Sequence, residues 1–132
     1  MSHRPTFVLV GHCWADRIGL KSAVKRAVRG ARVERADTMA ALQKHLDGGA
    51  VFLVNRVLGG GFRTGNGVEL IQDLARDGVT PAMILISNYA DAQAEAEAAG
   101  ALPGFGKSQL GDSAVAGLLS GAAEATVPSS GS

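Results

Sequence analysis

Val51-Phe52-Leu53-Val54-Asn55 is an unbroken apolar run closed by an amide, and its reading decides the fold. Apolar residues without polar alternation describe a strand buried on both faces, the condition of an interior strand in a parallel sheet. The same pattern recurs at Phe7-Val8-Leu9-Val10 and at Ala82-Met83-Ile84-Leu85-Ile86. Two weaker strands accompany them. Arg32-Val33-Glu34-Arg35-Ala36 alternates as an edge strand with one wet face should. Leu102-Pro103-Gly104-Phe105 contains a proline, which removes a ladder donor and is tolerable only at a sheet edge.

Helical spacing fills the intervals. Leu20, Val24, Ala27 and Val28 share one face, and Gly30 would end that helix. Asp37 or Thr38 can cap a second helix carrying Leu42 and Leu46 and stopping at Gly48-Gly49. A third has Leu70, Ile71 and Leu74 inward and Gly78 at its end, and a fourth runs from Asp91 to Ala99. The last, roughly Asp112 to Ala125, contains Gly117 and Gly121, each costing about 1 kcal/mol relative to alanine. Strand and helix alternate throughout, so right-handed crossovers predict an open parallel sheet covered on both sides. The flavodoxin-like (βα)5 order 2-1-3-4-5, a doubly wound three-layer α/β fold, places the two weak strands at the edges. Residues 1–125 are expected to form one domain and the small polar stretch 126–132 a disordered tail.

Composition narrows the class. A net charge of +1 over 132 residues gives no global attraction to nucleic acid or membrane, and neither is an expected partner. Cys13 is the sole cysteine, which excludes an intrachain disulfide. With no Cys or His cluster, no metal site is expected. The first apolar run is too short for a signal-peptide core, and no run has the length of a membrane span, so the cytoplasm is the expected location.

In such sheets the functional crevice lies beyond the carboxyl ends of the strands, here residues 11–16, 55–67, 87–91 and 106–109. The segments Phe7 to Arg17, Val51 to Asn55, Thr80 to Ser87 and Gly100 to Lys107 together resemble the receiver domain of two-component response regulators. The resemblance covers about Thr6 to Ala125; its most specific parts are Thr80-Pro81, Ser87, Gly100-Ala101 and Lys107. It implies the same fold and a signalling role. In that family an acidic pair after the first strand and an aspartate ending the third bind Mg²⁺ and accept a phosphoryl group. Here those positions match Gly11, His12 and Asn55, whereas Ser87 and Lys107 match the family's hydroxyl and lysine. The switch aromatic matches Gly104, with neighbouring Phe105 as a substitute, and the usual proline after the lysine is Ser108. Asn66-Gly67 resembles the Asp-Gly that opens the third helix, after a longer loop than the family's.

These departures set the expected chemistry. Mg²⁺ needs hard, normally anionic oxygen ligands, which a glycine, a histidine and an amide do not supply. The amide oxygen of Asn55 is neutral and a poor nucleophile, so no acyl phosphate and no catalytic residue are expected. Removing the carboxylates would leave a neutral-to-positive crevice of Gly11, His12, Arg56, Ser87 and Lys107, able to hold a small anion or nucleotide. Adjacent His12 and Cys13 should point to opposite sides and so cannot pair as base and nucleophile. The Gly59–Gly67 loop lacks any phosphate-binding spacing and reads as a flexible insertion, with Phe62 and Arg63 at its tip as candidate partner contacts. Lys21, Lys25 and Arg29, four residues apart opposite the Leu20/Val24 face, read as a solvated stripe or a docking surface for an acidic partner. The leading expectation is a cofactor-free signalling domain. It would bind a histidine kinase or downstream regulator without phosphorylation, and a homodimer stays open. The alternative is a regulatory domain that binds an anion or nucleotide in the crevice.

Overall fold

The computed structural model describes residues 5–46, 49–59, 61–62, 64–78 and 81–125. Strands and helices alternate as β1 (Thr6–Val10), α1 (Trp14–Ala27), β2 (Arg32–Ala36), α2 (Met39–Gln43), β3 (Val51–Asn55) and α3 (Gly67–Arg76). There follow β4 (Ala82–Ile86), α4 (Ala90–Ala98), β5 (Leu102–Phe105), a 3-10 turn at Lys107–Gln109 and α5 (Ser113–Ala125). The five strands form one parallel sheet in the order β2-β1-β3-β4-β5. This is the expected flavodoxin-like arrangement, with the polar and proline-bearing strands at its edges.

The pleat sorts the three apolar runs into two cores. Val8, Val10, Phe52, Val54, Met83 and Leu85 face α2, α3 and α4, where Leu42, Ile71 and Ala96 meet them. Phe7, Leu9, Val51, Leu53, Ile84 and Ile86 face α1 and α5, meeting Leu20, Val24, Val115 and Leu119. Burial on both faces is why these strands show no polar alternation; each fully buried large side chain contributes about 1.5–3 kcal/mol.

Three local expectations change. α2 is one short turn of helix, capped by the Thr38 hydroxyl accepting from Ala41 N–H, and it ends before Leu46. Half-buried Leu46 still packs on the core from the following turn. Gly49 takes a left-handed φ of 72°, while Gly48 lies outside the described residues. β5 carries a bulge: Leu102 pairs with Ile84 and Phe105 with Ile86, so three residues of β5 span two of β4. Phe105 therefore faces the same core as Leu102 and is 2% exposed, packed on the α1–α5 side. It does not serve as a switch aromatic at the crevice, because the bulge turns it into the opposite core. The expected tail, 126–132, lies outside the described residues.

Candidate functional site

The ends of β3, β4 and β5 converge on a pocket of about 200 Å³ lined by Asn55, Arg56, Ser87, Asn88, Tyr89 and Lys107. Asn55, Arg56, Ser87 and Lys107 therefore meet, whereas Gly11 and His12 do not line the pocket. Their bonding shows how the groups of the expected neutral-to-positive crevice are engaged.

Asn55 ends β3 half-buried. Its side-chain Nδ2 donates to Gly11 O at 3.1 Å and to Val57 O at 2.8 Å. The amide thus ties the end of β1 to the β3–α3 loop. Both partners are acceptors, so this position uses a donor that a carboxylate lacks. Gly11 has φ 72°, and a Cβ there would collide with the Leu58 side chain. Its own N–H donates to Ala36 O at 3.1 Å. Gly11 therefore offers no N–H to an anion, and an acidic side chain there would be strained.

His12 is a correction. It is 3% exposed, and its Nε2–H donates to Leu53 O at 2.8 Å, leaving Nδ1 buried with no partner among the described residues. Burial pulls its pKa from 6.5 down to about 4, outweighing the upward pull of the Leu53 bond, and Lys107 pushes the same way as burial. The ring is neutral at physiological pH and adds no charge to the crevice. Cys13 points outward and is exposed, so the two neighbours diverge as expected.

Lys107 is also not free. Its Nζ reaches Asp16 Oδ2 at 2.6 Å. The bond from Lys107 is the chief reason Asp16 sits below the ordinary carboxylate range. Asp16 falls in the crevice stretch 11–16, but the sequence reading gave it no role because the comparison with the family's acidic pair stops at His12. The signal was present: Asp16 is an acidic residue in the first turn of a helix whose N-terminus faces the crevice. Arg56 lies over the Tyr89 ring at 4.8 Å from its centroid, a cation–π arrangement. Ser87 is buried, and its hydroxyl accepts from Tyr89 N–H at 3.1 Å. In the crevice, then, Lys107 is paired with Asp16 and Arg56 is stacked on Tyr89, so one carboxylate offsets part of its positive charge.

The far side of the crevice is pinned too. Gln93 Nε2 donates to Leu85 O at 2.8 Å and Ser87 O at 3.1 Å, with Phe105 O at 3.4 Å. The amide lies against Gly104, where any Cβ would collide with Leu85 O and Gln93 itself. The position matched to the switch aromatic thus has no room for a side chain. Ser108 Oγ donates to Asn88 Oδ1 at 2.9 Å, joining the β4–α4 and β5–α5 loops.

The glycine-rich loop is folded down rather than projecting. Val57 and Asn66 form an antiparallel bridge, Leu58 N–H donates to Gly65 O at 2.8 Å, and Met39 N–H donates to Gly61 O at 3.0 Å. Phe62 is 9% exposed within the α2–α3 core, so it is a packing residue and not a tip contact; its large apolar ring is stabilised more by burial than by display. Arg63 lies outside the described residues. Asn66 Oδ1 accepts from Val68 N–H at 2.8 Å and caps α3.

Lys21, Lys25 and Arg29 are all exposed, as expected. The surface they belong to is larger than the sequence suggested. Trp14 and Ile18 continue the stripe toward the start of α1 and are 69% and 60% exposed. Among the described residues, no group of three or more His, Cys, Asp or Glu is placed to hold a metal, and no helix is long and apolar enough to cross a membrane.

No protein-family model matches the sequence, and no curated protein matches it. Solved structures do. FixJ-N matches with a TM-score of 0.69 at 16% identity, over 94% of this chain and 96% of that one. The signal receiver domain of a DNA-binding response regulator from Colwellia psychrerythraea 34H gives 0.67 at 13% identity, over 91% and 98%. A response regulator from Burkholderia pseudomallei, solved with a phosphorylated aspartic acid, gives 0.59 at 20% identity, over 92% and 70%. At these identities the likeness establishes the receiver fold and nothing finer.

Proposed function

We propose that this chain is a receiver-fold signalling domain that acts by docking a protein partner, a histidine kinase or downstream regulator, without phosphoryl transfer. The observation that carries this reading is the Asn55 amide donating to Gly11 O and Val57 O. A phosphoacceptor carboxylate would face two carbonyl oxygens there, and the acidic pair that would hold Mg²⁺ is replaced by a left-handed glycine and a buried neutral histidine. The hydrogen bonds from Gln93 to the β4 end support a domain held in one state, since the Ser87 segment is tied to both β4 and β5. Folds of this kind host many roles, so the function rests on the site and not on the topology.

The test is incubation with Mg²⁺ and acetyl phosphate, read by intact mass, and with beryllofluoride, read by amide NMR shifts. Unchanged mass and an unchanged spectrum are expected. An acylphosphate adduct, or a beryllofluoride-dependent shift of the Ser87 and Gln93 amides, overturns the reading.

A further inference from the structure

A mainly apolar surface groove lies between α1 and the β2 edge. It is a groove of about 360 Å³ floored by Leu9 and Val33, walled by Trp14 and Ile18, and rimmed by Lys21 and Arg35. Trp14, Ile18, Lys21 and Lys25 fall at i, i+4, i+7 and i+11, so they share one face of α1, apolar at its start and cationic further on. A tryptophan and an isoleucine left 69% and 60% exposed beside one another form a contiguous patch, which is more informative than single exposed apolar residues.

Charge identifies the occupant. Residues 14–37 carry seven basic and three acidic side chains, whereas 64–100 carry one basic and six acidic. Of the acids near the groove, Asp16 holds Lys107 and Asp37 lies 3.9 Å from Arg17 and 3.7 Å from Arg35; Glu34 lines the groove without an ion pair among the described residues, but Arg17, Lys21 and Arg35 outnumber it there. Among the described residues, Lys21, Lys25 and Arg29 make no ion pair. Two copies meeting symmetrically through this surface would set basic rim against basic rim, which disfavours a two-fold dimer here. An aliphatic floor gives bases little to stack on apart from Trp14, which disfavours nucleic acid.

We infer that the α1–β2 groove receives an acidic amphipathic helix of a partner protein. Its apolar residues seat over Leu9 and Val33 between Trp14 and Ile18, and its flanking Asp and Glu lie along Lys21, Lys25 and Arg29. This deepens the docking function proposed above and rests on it.

Trp14 is the sole tryptophan, so its emission reports the groove directly. The probe is a synthetic helix of about four turns, with leucine on one face and glutamate on the flanks. The expected result is a blue shift of Trp14 emission with a dissociation constant of about 10–100 µM. Binding should weaken about tenfold in Ile18→Ser and in the Lys21→Glu/Lys25→Glu pair, and severalfold between about 0.05 and about 0.3 M salt. Both variants alter exposed residues, and far-UV circular dichroism verifies that they fold. The inference is overturned by no Trp14 response at about millimolar peptide. It is also overturned by equal binding of a peptide with lysine for every glutamate, by binding indifferent to Ile18→Ser, or by tighter binding of oligo(dT). A concentration-dependent Trp14 shift without peptide, with dimer in sedimentation, would assign the groove to a second copy instead. None of these outcomes depends on acetyl phosphate, so failure of the groove and failure of the phosphorylation-independent reading are separately visible.

Discussion

Asn55→Asp restores the residue type found at the acceptor position of receivers, and the bonding around it makes the substitution destabilising. In the native chain Nδ2 donates to Gly11 O at 3.1 Å and to Val57 O at 2.8 Å. An aspartate has the same shape and no donor. Each lost hydrogen bond costs about 1 kcal/mol net, and the charge adds repulsion toward two carbonyl oxygens, so about 2–3 kcal/mol is expected at neutral pH. For a domain of this size that corresponds to a fall in Tm of roughly 8–12 °C. Lys107 lines the same pocket but is held by Asp16, so relief from it would require breaking that pair. The pH dependence has a definite sign. A protonated carboxyl can donate one bond, so folding raises the new group's pKa above its unfolded value of about 3.9. Its stabilising contribution is then complete below about 3.9 and is lost as pH rises through the raised folded value. The gap between Asn55→Asp and the native chain should therefore narrow on going from pH of about 7.5 to about 4, as read by urea unfolding at each pH with and without Mg²⁺. A variant as stable as the native chain at neutral pH, or one that Mg²⁺ stabilises, would refute the reasoning.

Four further outcomes follow from the same geometry. The folded pKa of His12 is depressed to about 4, so its contribution is intact above 6.5 and falls as pH drops toward 4, by about 3 kcal/mol; His12→Gln should flatten that slope in urea unfolding. Asp16→Asn should cost about 0.5 kcal/mol, because the ion pair with Lys107 is partly exposed, and the depressed carboxyl pKa means the difference disappears as pH falls below 3.8. Phe62→Ala should lower stability by about 3 kcal/mol while leaving peptide binding to the α1–β2 groove unchanged, measured by thermal unfolding and Trp14 emission; a stable variant that no longer binds would return Phe62 to a docking role. ATP, GTP and inorganic phosphate at about 1 mM should leave Tm unmoved, since Lys107 and Ser87 already have protein partners; a rise of several degrees would restore the anion-binding alternative.

Residues whose burial follows from their own chemistry were legible in the sequence. Val51 to Val54 has the composition of an interior strand and Pro103 that of an edge, so the sheet order followed from composition. The Asn55, Ser87 and Lys107 positions were legible as strand ends. Partnerships were not. Nothing in local spacing pairs Asp16 with Lys107, which are 91 residues apart, or sends the His12 ring under Leu53 instead of into solvent. The bulge at Pro103-Gly104 misled for a related reason: one extra residue reverses the face of Phe105, and a period-two reading cannot see it. Phe62 misled because glycines around it suggested display, whereas the glycines let the chain turn back and bury it.

The contrast between the two surfaces decides where a partner gains free energy. A ligand entering the crevice must displace bonds already made, among them Asn55 to Gly11 and Val57, Lys107 to Asp16, and Tyr89 N–H to Ser87. Breaking even two of these costs about 2 kcal/mol before any new contact forms. A helix entering the α1–β2 groove displaces only water. Covering Trp14 and Ile18, now 69% and 60% exposed, returns about 1–2 kcal/mol for each, and Lys21, Lys25 and Arg29, without an ion pair among the described residues, supply steering. The α1–β2 groove is thus the surface with interaction energy still to gain. Binding of the acidic helix, read by Trp14 emission, should therefore respond to Ile18→Ser and Lys21→Glu while remaining indifferent to Ser87→Ala.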